Sequence, residues 1–363
     1  AEADARRLGV TVTGAALAKD EARVTLLGVP DRPGVVHAIF HKIAAANIVV
    51  DMIVQNVGTD GQTEVSFTVA ANDLAETLMA AESAAQAIGA KGVTHAAEVA
   101  KVSVVGLGMR THTGVATTMF DALAAAGVNI EMITTSEIKI SVLVARTAAA
   151  RALRAVHKAF ALDQWDNASS SPFAPSRPAA KIRHTLVPAD DAGAAMPAGG
   201  MEDLVVSGVE LDESQARITL FNVPDRPGYA ARVFRQIGEV GVFVDMIVQN
   251  VSAAGNTHLS FTVPRELAER ARAAVRDIGP GEVSIEPALA KLSVLGVGMR
   301  THTGVATRMF GALAAEGINI TLINTSEVRI NVATDIGRGR EGELCLRGAF
   351  SLPEDLASDS ATA

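Results

Sequence analysis

From Ala22 to Val29 apolar and polar side chains alternate, the period of a strand that buries one face. The turn Asp31-Arg32-Pro33-Gly34 follows, and the run VVHAIFHKIAAAN (35–47) switches to a helical period. Pro33 suits the start of a helix, where its missing N–H would be unpaired in any case. NIVVDMIVQNV (47–57) reads as a β-branched strand, Thr59-Asp60-Gly61 as a turn, and TEVSFTVA (63–70) as the next strand. A helix from about Asn72 to Ile88 and a strand near 93–100 complete β-α-β-β-α-β. Residues 101–160 begin the same series: strand VSVVGL, helix GVATTMFDALAAAG, strands VNIEMITT and EIKISVLV, and helix AAARALRAVHKAF. No last strand follows Phe160. The spare strand VTVTGAALA (10–18) can fill that place if the first unit is inserted within the second.

The whole pattern then recurs. VTGAALAKDEARVTLLGVPDRPG (12–34) aligns with VSGVELDESQARITLFNVPDRPG (206–228), an offset of 194 that holds through DMIVQNV and SFTV. It falls to 190 for residues 101–141 against 291–331, where 28 of 41 positions are identical. A duplication of this kind changes every later inference. The predicted organisation is a first copy over 1–162, with a module at 22–100 inserted in one made of 10–18 plus 101–162. A Pro/Ala/Ser-rich linker is expected over 163–203, because it holds too few large apolar residues to order itself. The second copy covers 204–352, with 216–288 inserted in 204–211 plus 291–352, and a disordered tail is expected over 353–363. The fold class is α+β, four ferredoxin-like βαββαβ modules in two tandem pairs, each with helices on one face of an antiparallel sheet. In the second copy Gly337, Gly339, Gly342 and Gly348 fall in or beside the last helix. Each interior glycine costs about 1 kcal/mol of helix stability, so that helix is expected to fray.

Composition narrows the chemistry. The 363 residues carry 32 Lys+Arg against 40 Asp+Glu, a net charge of −8, and aromatics make up only 4%. Neither a basic footprint nor a stacking platform for nucleic acid is expected from such a chain. Cys345 is the one cysteine, which excludes an internal disulfide and any cysteine-cluster metal site. No apolar run reaches the length of a membrane span and the first residues do not read as a signal peptide, so a cytoplasmic protein without membrane association is expected.

The ordered set VPDRPG, QNV, GMRTHTGVA and NI…TSEIKIS, present twice, resembles the regulatory region of aspartate kinases, which is built from paired ACT domains. The resemblance covers nearly all of both copies, and it implies ACT modules with the first of each pair inserted in the second. It also implies that free lysine and/or threonine bind there for feedback inhibition of the aspartate pathway. The kinase's Lys-Phe-Gly-Gly-Thr-Ser signature has no counterpart, nor does a GxxxxGK[ST] loop. No catalytic residue, cofactor or metal is therefore expected in the chain. ATP and Mg²⁺, and phosphoryl transfer to the aspartate carboxyl group, would belong to a kinase domain, expected upstream because the chain begins with Ala1. Gly106–Gly108 and Gly296–Gly298 suit tight strand-to-helix turns better than a nucleotide loop.

An amino-acid effector is a small zwitterion and needs acceptors and donors side by side. Asp31 with Gly34, and Asp225 with Gly228, offer a carboxylate for an ammonium beside helix-start N–H groups for a carboxylate. The resemblance adds Gln55, Asn129, Ile130 and Ala116 in the first copy, and Gln249, Asn319, Ile320 and Ala306 in the second. Plainer roles compete. Asp31 could be only a helix cap, Gln55 a strand end, Asn129 and Asn319 turn residues after Gly127 and Gly317, and TTSE and NTSE (134–137, 324–327) simple hairpin turns. His37 and His41 have helical metal-binding spacing but no third ligand, and Ala231 and Arg235 replace them in the second copy. His112 and His302 could hydrogen-bond their turns. The partners implied are free lysine and/or threonine, an aspartate kinase catalytic domain or subunit, and a homo-oligomer formed through sheet edges, with the two copies pairing inside one chain. The alternatives are a stand-alone amino-acid sensor or a structural oligomerisation module acting on another protein.

Overall fold

The computed structural model describes residues 11–56, 58, 61–107, 113–162, 205–251, 256–279, 281–297, 303–326 and 328–353. The linker, most of the tail, and both GMRTH turns with His112 and His302 lie outside them.

The first copy runs β1 (Thr11–Pro30), α1 (Val35–Ala45), β2 (Val50–Asn56), β3 (Gln62–Ala70), α2 (Leu74–Ile88), β4 (Gly92–Leu107), α3 (Thr113–Ala125), β5 (Met132–Thr135), β6 (Lys139–Ala145) and α4 (Ala149–Ala159). The second runs β7 (Val205–Pro224), α5 (Tyr229–Glu239), β8 (Ile247–Val251), β9 (Asn256–Pro264), α6 (Ala268–Val275), β10 (Val283–Val297), α7 (Thr303–Ala315), β11 (Leu322–Thr325), β12 (Arg329–Asp335) and α8 (Gly339–Ala349). The described strands join one closed barrel in the order β1-β3-β2-β11-β12-β10-β7-β9-β8-β5-β6-β4.

The strands differ from the sequence expectation in two ways. The strands expected at 10–18 and 22–29 form one 20-residue strand, and those at 93–100 and 102–107 form another of 16. Residues 11–18 of β1 pair with 101–107 of β4, while 21–27 pair with 92–99, and the register shifts between Ala18 and Arg23. An irregular ladder bends a strand pair and raises its twist, so these pairs pass from one module into the next without a break. The strand expected at 128–135 is shorter, only Met132–Thr135.

The barrel closes through two joints between copies. β2 pairs with β11 (Ile323↔Gln55, Asn324↔Val54) and β5 pairs with β8 (Ile133↔Gln249). The two copies pair within one chain, as the duplication suggests, and among the described residues these joints cover the edges of β2, β5, β8 and β11. Helices cover the outside. α1 and α2 share one core with α7 and α8, whereas α3 and α4 share another with α5 and α6. Phe40 lies 5.6 Å from Phe310, and Phe120 5.4 Å from Phe234, so each core is stitched across the copies by an aromatic pair. A third cluster, with Met52, Val54, Met132, Met246, Val248 and Leu322, fills the barrel. Ile53 faces the helices and its neighbours Met52 and Val54 the interior, as the two-residue strand period requires.

The last helix does not fray at its glycines: α8 spans 11 residues from Gly339 to Ala349. A Cβ on Gly339 would lie 2.7 Å from Ala290 Cβ, and one on Gly342 2.5 Å from Leu292 Cδ1. The propensity penalty is offset by an approach to β10 that only glycine permits.

Candidate functional site

The VPDRPG loop ends in glycine for a backbone reason. Gly34 and Gly228 hold φ of 85° and 88°, the left-handed region, and each is the N-cap of its helix without a side-chain cap bond. Asp31 is therefore not the helix cap. Its backbone N–H donates to Gly61 O at 2.9 Å, and its Oδ1 accepts from Asn319 Nδ2 at 2.7 Å. In the other copy Asp225 Oδ1 accepts from Asn129 Nδ2 at 2.8 Å. Both asparagines thus bridge the copies and do more than supply turns. Gln55 Nε2 donates to Ile320 O at 2.8 Å, and Gln249 Nε2 to Ile130 O at 3.0 Å.

Two matched clefts result, each with walls from both copies. The first brings together Asp31, Gly34 and Gln55 with Asn319 and Ile320. The second brings together Asp225, Gly228 and Gln249 with Asn129 and Ile130. Grouping these residues by copy, as the sequence does, is replaced by grouping across copies. The second cleft is lined also by Phe120, Ala124, Arg226 and Tyr229, and its free space is about 10 Å³, room for roughly one water molecule. Ala116 is not in that lining; with Ala306 it is buried in a helix-side core. Gln55 is 2% exposed and its Oε1 has no hydrogen-bond partner. A buried acceptor left so costs about 1–3 kcal/mol, which a donor entering the cleft would recover.

The clefts differ where sequence reading singled out nothing. Tyr229 stands where the first copy has Val35, and Glu131 where the second copy has Thr321. Arg23 Nη1 pairs with Glu131 Oε2 at 2.9 Å. Burial raises the Glu131 carboxyl above its ordinary pKa; Arg23 opposes the rise and neighbouring Asp225 adds to it. Reading the repeat for its differences, not its identities, would have found both positions.

TTSE and NTSE are more than hairpin turns. Thr135 Oγ1 accepts from Ile247 N at 3.0 Å and Thr325 Oγ1 from Ile53 N at 2.8 Å, so each hydroxyl completes the joint its strand makes. Asn324 Nδ2 donates to Thr135 O at 2.8 Å, Thr134 Oγ1 to Thr325 O at 3.0 Å, and Asn56 Nδ2 to His258 O at 2.8 Å. One polar network therefore links the two joints across the barrel. Glu327 lies outside the described residues. His37 Nδ1 lies 3.2 Å from Thr307 O, and among the described residues no group of three His, Cys, Asp or Glu could hold a metal ion. No helix among them is long and apolar enough to cross a membrane.

Inserted βαββαβ modules that meet edge to edge, with a polar cleft at each joint, define the chain as a multi-ACT-domain protein. Two ACT domain family models match it, one over residues 23–86 and the other over 102–160, 222–277 and 292–341. An aspartate kinase of Pseudomonas putida is 49% identical over 152 residues, which are 42% of this chain and 37% of that protein. The regulatory subunit of aspartate kinase from Thermus flavus is 44% identical, matching 41% of this chain and 98% of that subunit, with a TM-score of 0.39. Aspartate kinase from Synechocystis, 32% identical, superposes on 97% of this chain and 57% of its own, with a TM-score of 0.79. The chain belongs to the aspartate kinase family and carries its regulatory ACT domains. The matched part spans little more than a third of the Pseudomonas relative's length.

Proposed function

We propose that the chain senses free lysine, threonine or both and conveys feedback inhibition to an aspartate kinase catalytic domain or subunit. One observation carries the reading: the second cleft has zwitterion-matched groups but space for only about one water molecule. An amino acid can enter only if the walls part, and the Asn129–Asp225 bond that holds them must then exchange for bonds to the effector. Binding is thereby tied to a change in how the copies pack. An effector shifts such an equilibrium by its differential affinity for the two packings. The Asp carboxylate would take the ammonium, and the N–H groups after Gly34 or Gly228 the carboxylate. The Thr135–Asn324 and Thr134–Thr325 bonds offer a route between clefts. Phosphoryl transfer, with its ATP and Mg²⁺, is left to the kinase domain.

Calorimetry of the full chain with lysine, threonine and the two together tests the reading. Saturable heat is expected with at least one, weakened tenfold or more when Asn129→Ala and Asn319→Ala are combined. No heat with any amino acid refutes it.

A further inference from the structure

The first copy sorts its surface charge by helix, and the second does not. On α2 every charged side chain is acidic: Glu76 and Glu82, with Asp73 just before them. On α4 every titratable side chain is basic: Arg151, Arg154, His157 and Lys158, with Arg146 just before them. In and around α6, by contrast, Arg270, Arg272 and Arg276 alternate with Glu266, Glu269 and Asp277, and Arg272 pairs with Glu269 at 2.7 Å. At α8, Arg338 pairs with Glu341 at 2.6 Å and Arg347 with Glu343 at 3.1 Å. Glu341 stands where α4 has Arg151, and Arg270 where α2 has Glu76.

The sorted charges face outward. Thr77, Ala81, Ala84 and Ile88 of α2 are buried, which leaves Glu76, Met79 and Glu82 in one exposed row at helical spacing. Met79, at 66%, is the most exposed large apolar side chain among the described residues. On α4 Ala149, Ala152 and Val156 are buried, and Arg151, Arg154 and Lys158 form the exposed row. Among the described residues none of these five charges has an ion pair, and Arg151 makes a long bond of 3.5 Å to Gly127 O. The helix dipole favours Glu76 and Lys158 near their helix ends. It opposes Arg151 in the first turn of α4 and leaves Glu82, in mid-helix, unexplained.

Both rows stand on one ladder. α2 shares a core with Ala22, Val24 and Leu26 of β1, and α4 shares one with Val102 and Val104 of β4 and packs against Ala15 and Leu17 of β1. Residues 21–27 of β1 pair with 92–99 of β4, and 11–18 with 101–107, so the helices cover the two ends of a continuous strand pair. The joints already occupy the edges of β2, β5, β8 and β11, which leaves helix faces for any contact between chains.

We propose that the outer surface of the β1–β4 ladder binds a second copy of this chain, α4 of each lying on α2 of the other. A two-fold axis across the bend makes the contact twice, as a self-complementary interface requires. The rows match in length: Glu76 to Glu82 spans about 9 Å of helix and Arg151 to Lys158 about 10 Å. In an antiparallel crossing Glu76 meets Lys158, Glu82 meets Arg151, and Met79 lies along the aliphatic stem of Arg154.

Sedimentation equilibrium of the full chain tests it. The parent should form a dimer that weakens as salt is raised, because exposed charges are screened. Reversing α4 (Arg151→Glu with Lys158→Glu) or α2 (Glu76→Lys with Glu82→Lys) should weaken self-association tenfold or more. Mixed together, the two reversed chains should recover a one-to-one dimer, since each offers the other's complement at both contacts. A parent still monomeric at millimolar concentration, a dimer indifferent to both reversals, or a mixture that fails to recover it overturns the proposal. A monomeric parent that binds double-stranded DNA through Arg151 and Lys158 gives the basic row another occupant and overturns it too. Should a reversed chain unfold, Arg151→Gln with Lys158→Gln and Glu76→Gln with Glu82→Gln take its place, and a dimer unchanged by both overturns the proposal.

Discussion

Gly342 lies in mid-helix on α8, where a sequence-based forecast and the structure predict opposite signs for Gly342→Ala. Replacing glycine by alanine inside a helix gains about 1 kcal/mol from backbone entropy alone. The new Cβ, however, would stand 2.5 Å from Leu292 Cδ1, with Leu313 Cδ2 at 3.5 Å and Ile318 Cδ1 at 3.6 Å behind it. Carbon atoms pack best at about 3.5–4.0 Å, so the overlap with Leu292 is about 1 Å. Leu292 and Leu313 are 0% exposed and Ile318 is 1% exposed, so the leucine cannot turn out into solvent. Overpacking of this kind costs about 1–3 kcal/mol. Gly348→Ala, in the same helix, meets nothing within 4 Å and carries only the propensity term. Subtracting the two variants removes most of that shared term and leaves the packing cost, a difference of about 1–3 kcal/mol in favour of Gly348→Ala. Urea unfolding of the full chain, followed by far-UV circular dichroism, reads it directly. If Gly342→Ala proves as stable as Gly348→Ala, glycine is not required by the α8–β10 approach and the account of this helix is wrong.

Three further outcomes are expected. Lys101 is 5% exposed, its ammonium 3.0 Å from Glu21 Oε1 and ion-paired also with Asp51, so Lys101→Met takes this cation from the buried Glu21 carboxylate. It should lower the unfolding free energy by about 3–5 kcal/mol, and a loss below about 1 kcal/mol would show the pair to be dispensable. Burial lowers the His258 pKa from 6.5, and its Nδ1 accepts from Asn222 N at 3.1 Å, so protonation is opposed in the folded state. The unfolded chain binds that proton first. The stability it contributes is full above pH 6.5 and is lost as pH falls through the lower folded value, and His258→Gln should flatten that part of a urea-midpoint pH profile. Burial, with Glu316 and Glu341 nearby, pushes the Cys345 thiol up to about 11. At pH 8 only on the order of 0.1% is thiolate, so iodoacetamide should label it slowly, at a rate still rising past pH 10.

The duplication, the strand and helix periods and the fold class were legible because each depends on local pattern. So were Asp31, Gln55, Asn129 and their counterparts, through a resemblance carried by motifs. The partner of each was not. Pairing of the two copies was suggested by the duplication, but the motifs group Asn129 with Asp31 of its own copy, whereas Asn129 meets Asp225 of the other. The bend near Ala18–Arg23 was hidden as well: two strands separated by a polar stretch look alike whether or not the ladder runs through it. Asp31 looked like a cap because Asp favours that place, yet Gly34 in the left-handed region starts the helix instead. Gly342 looked like a helix breaker because the Leu292 side chain that needs its absent Cβ belongs to another element.

The crossing of the copies has a consequence for how such a protein can change. In a symmetric pair of identical subunits, any substitution appears at both binding places at once, so neither can be altered without the other. Here a codon for Glu131 or Thr321 touches one cleft only, while the shared strands β1, β4, β7 and β10 keep both in the same frame. Fusing two copies into one chain turns a pair of obligatory twins into two clefts whose residues can diverge separately within one closed ring of strands.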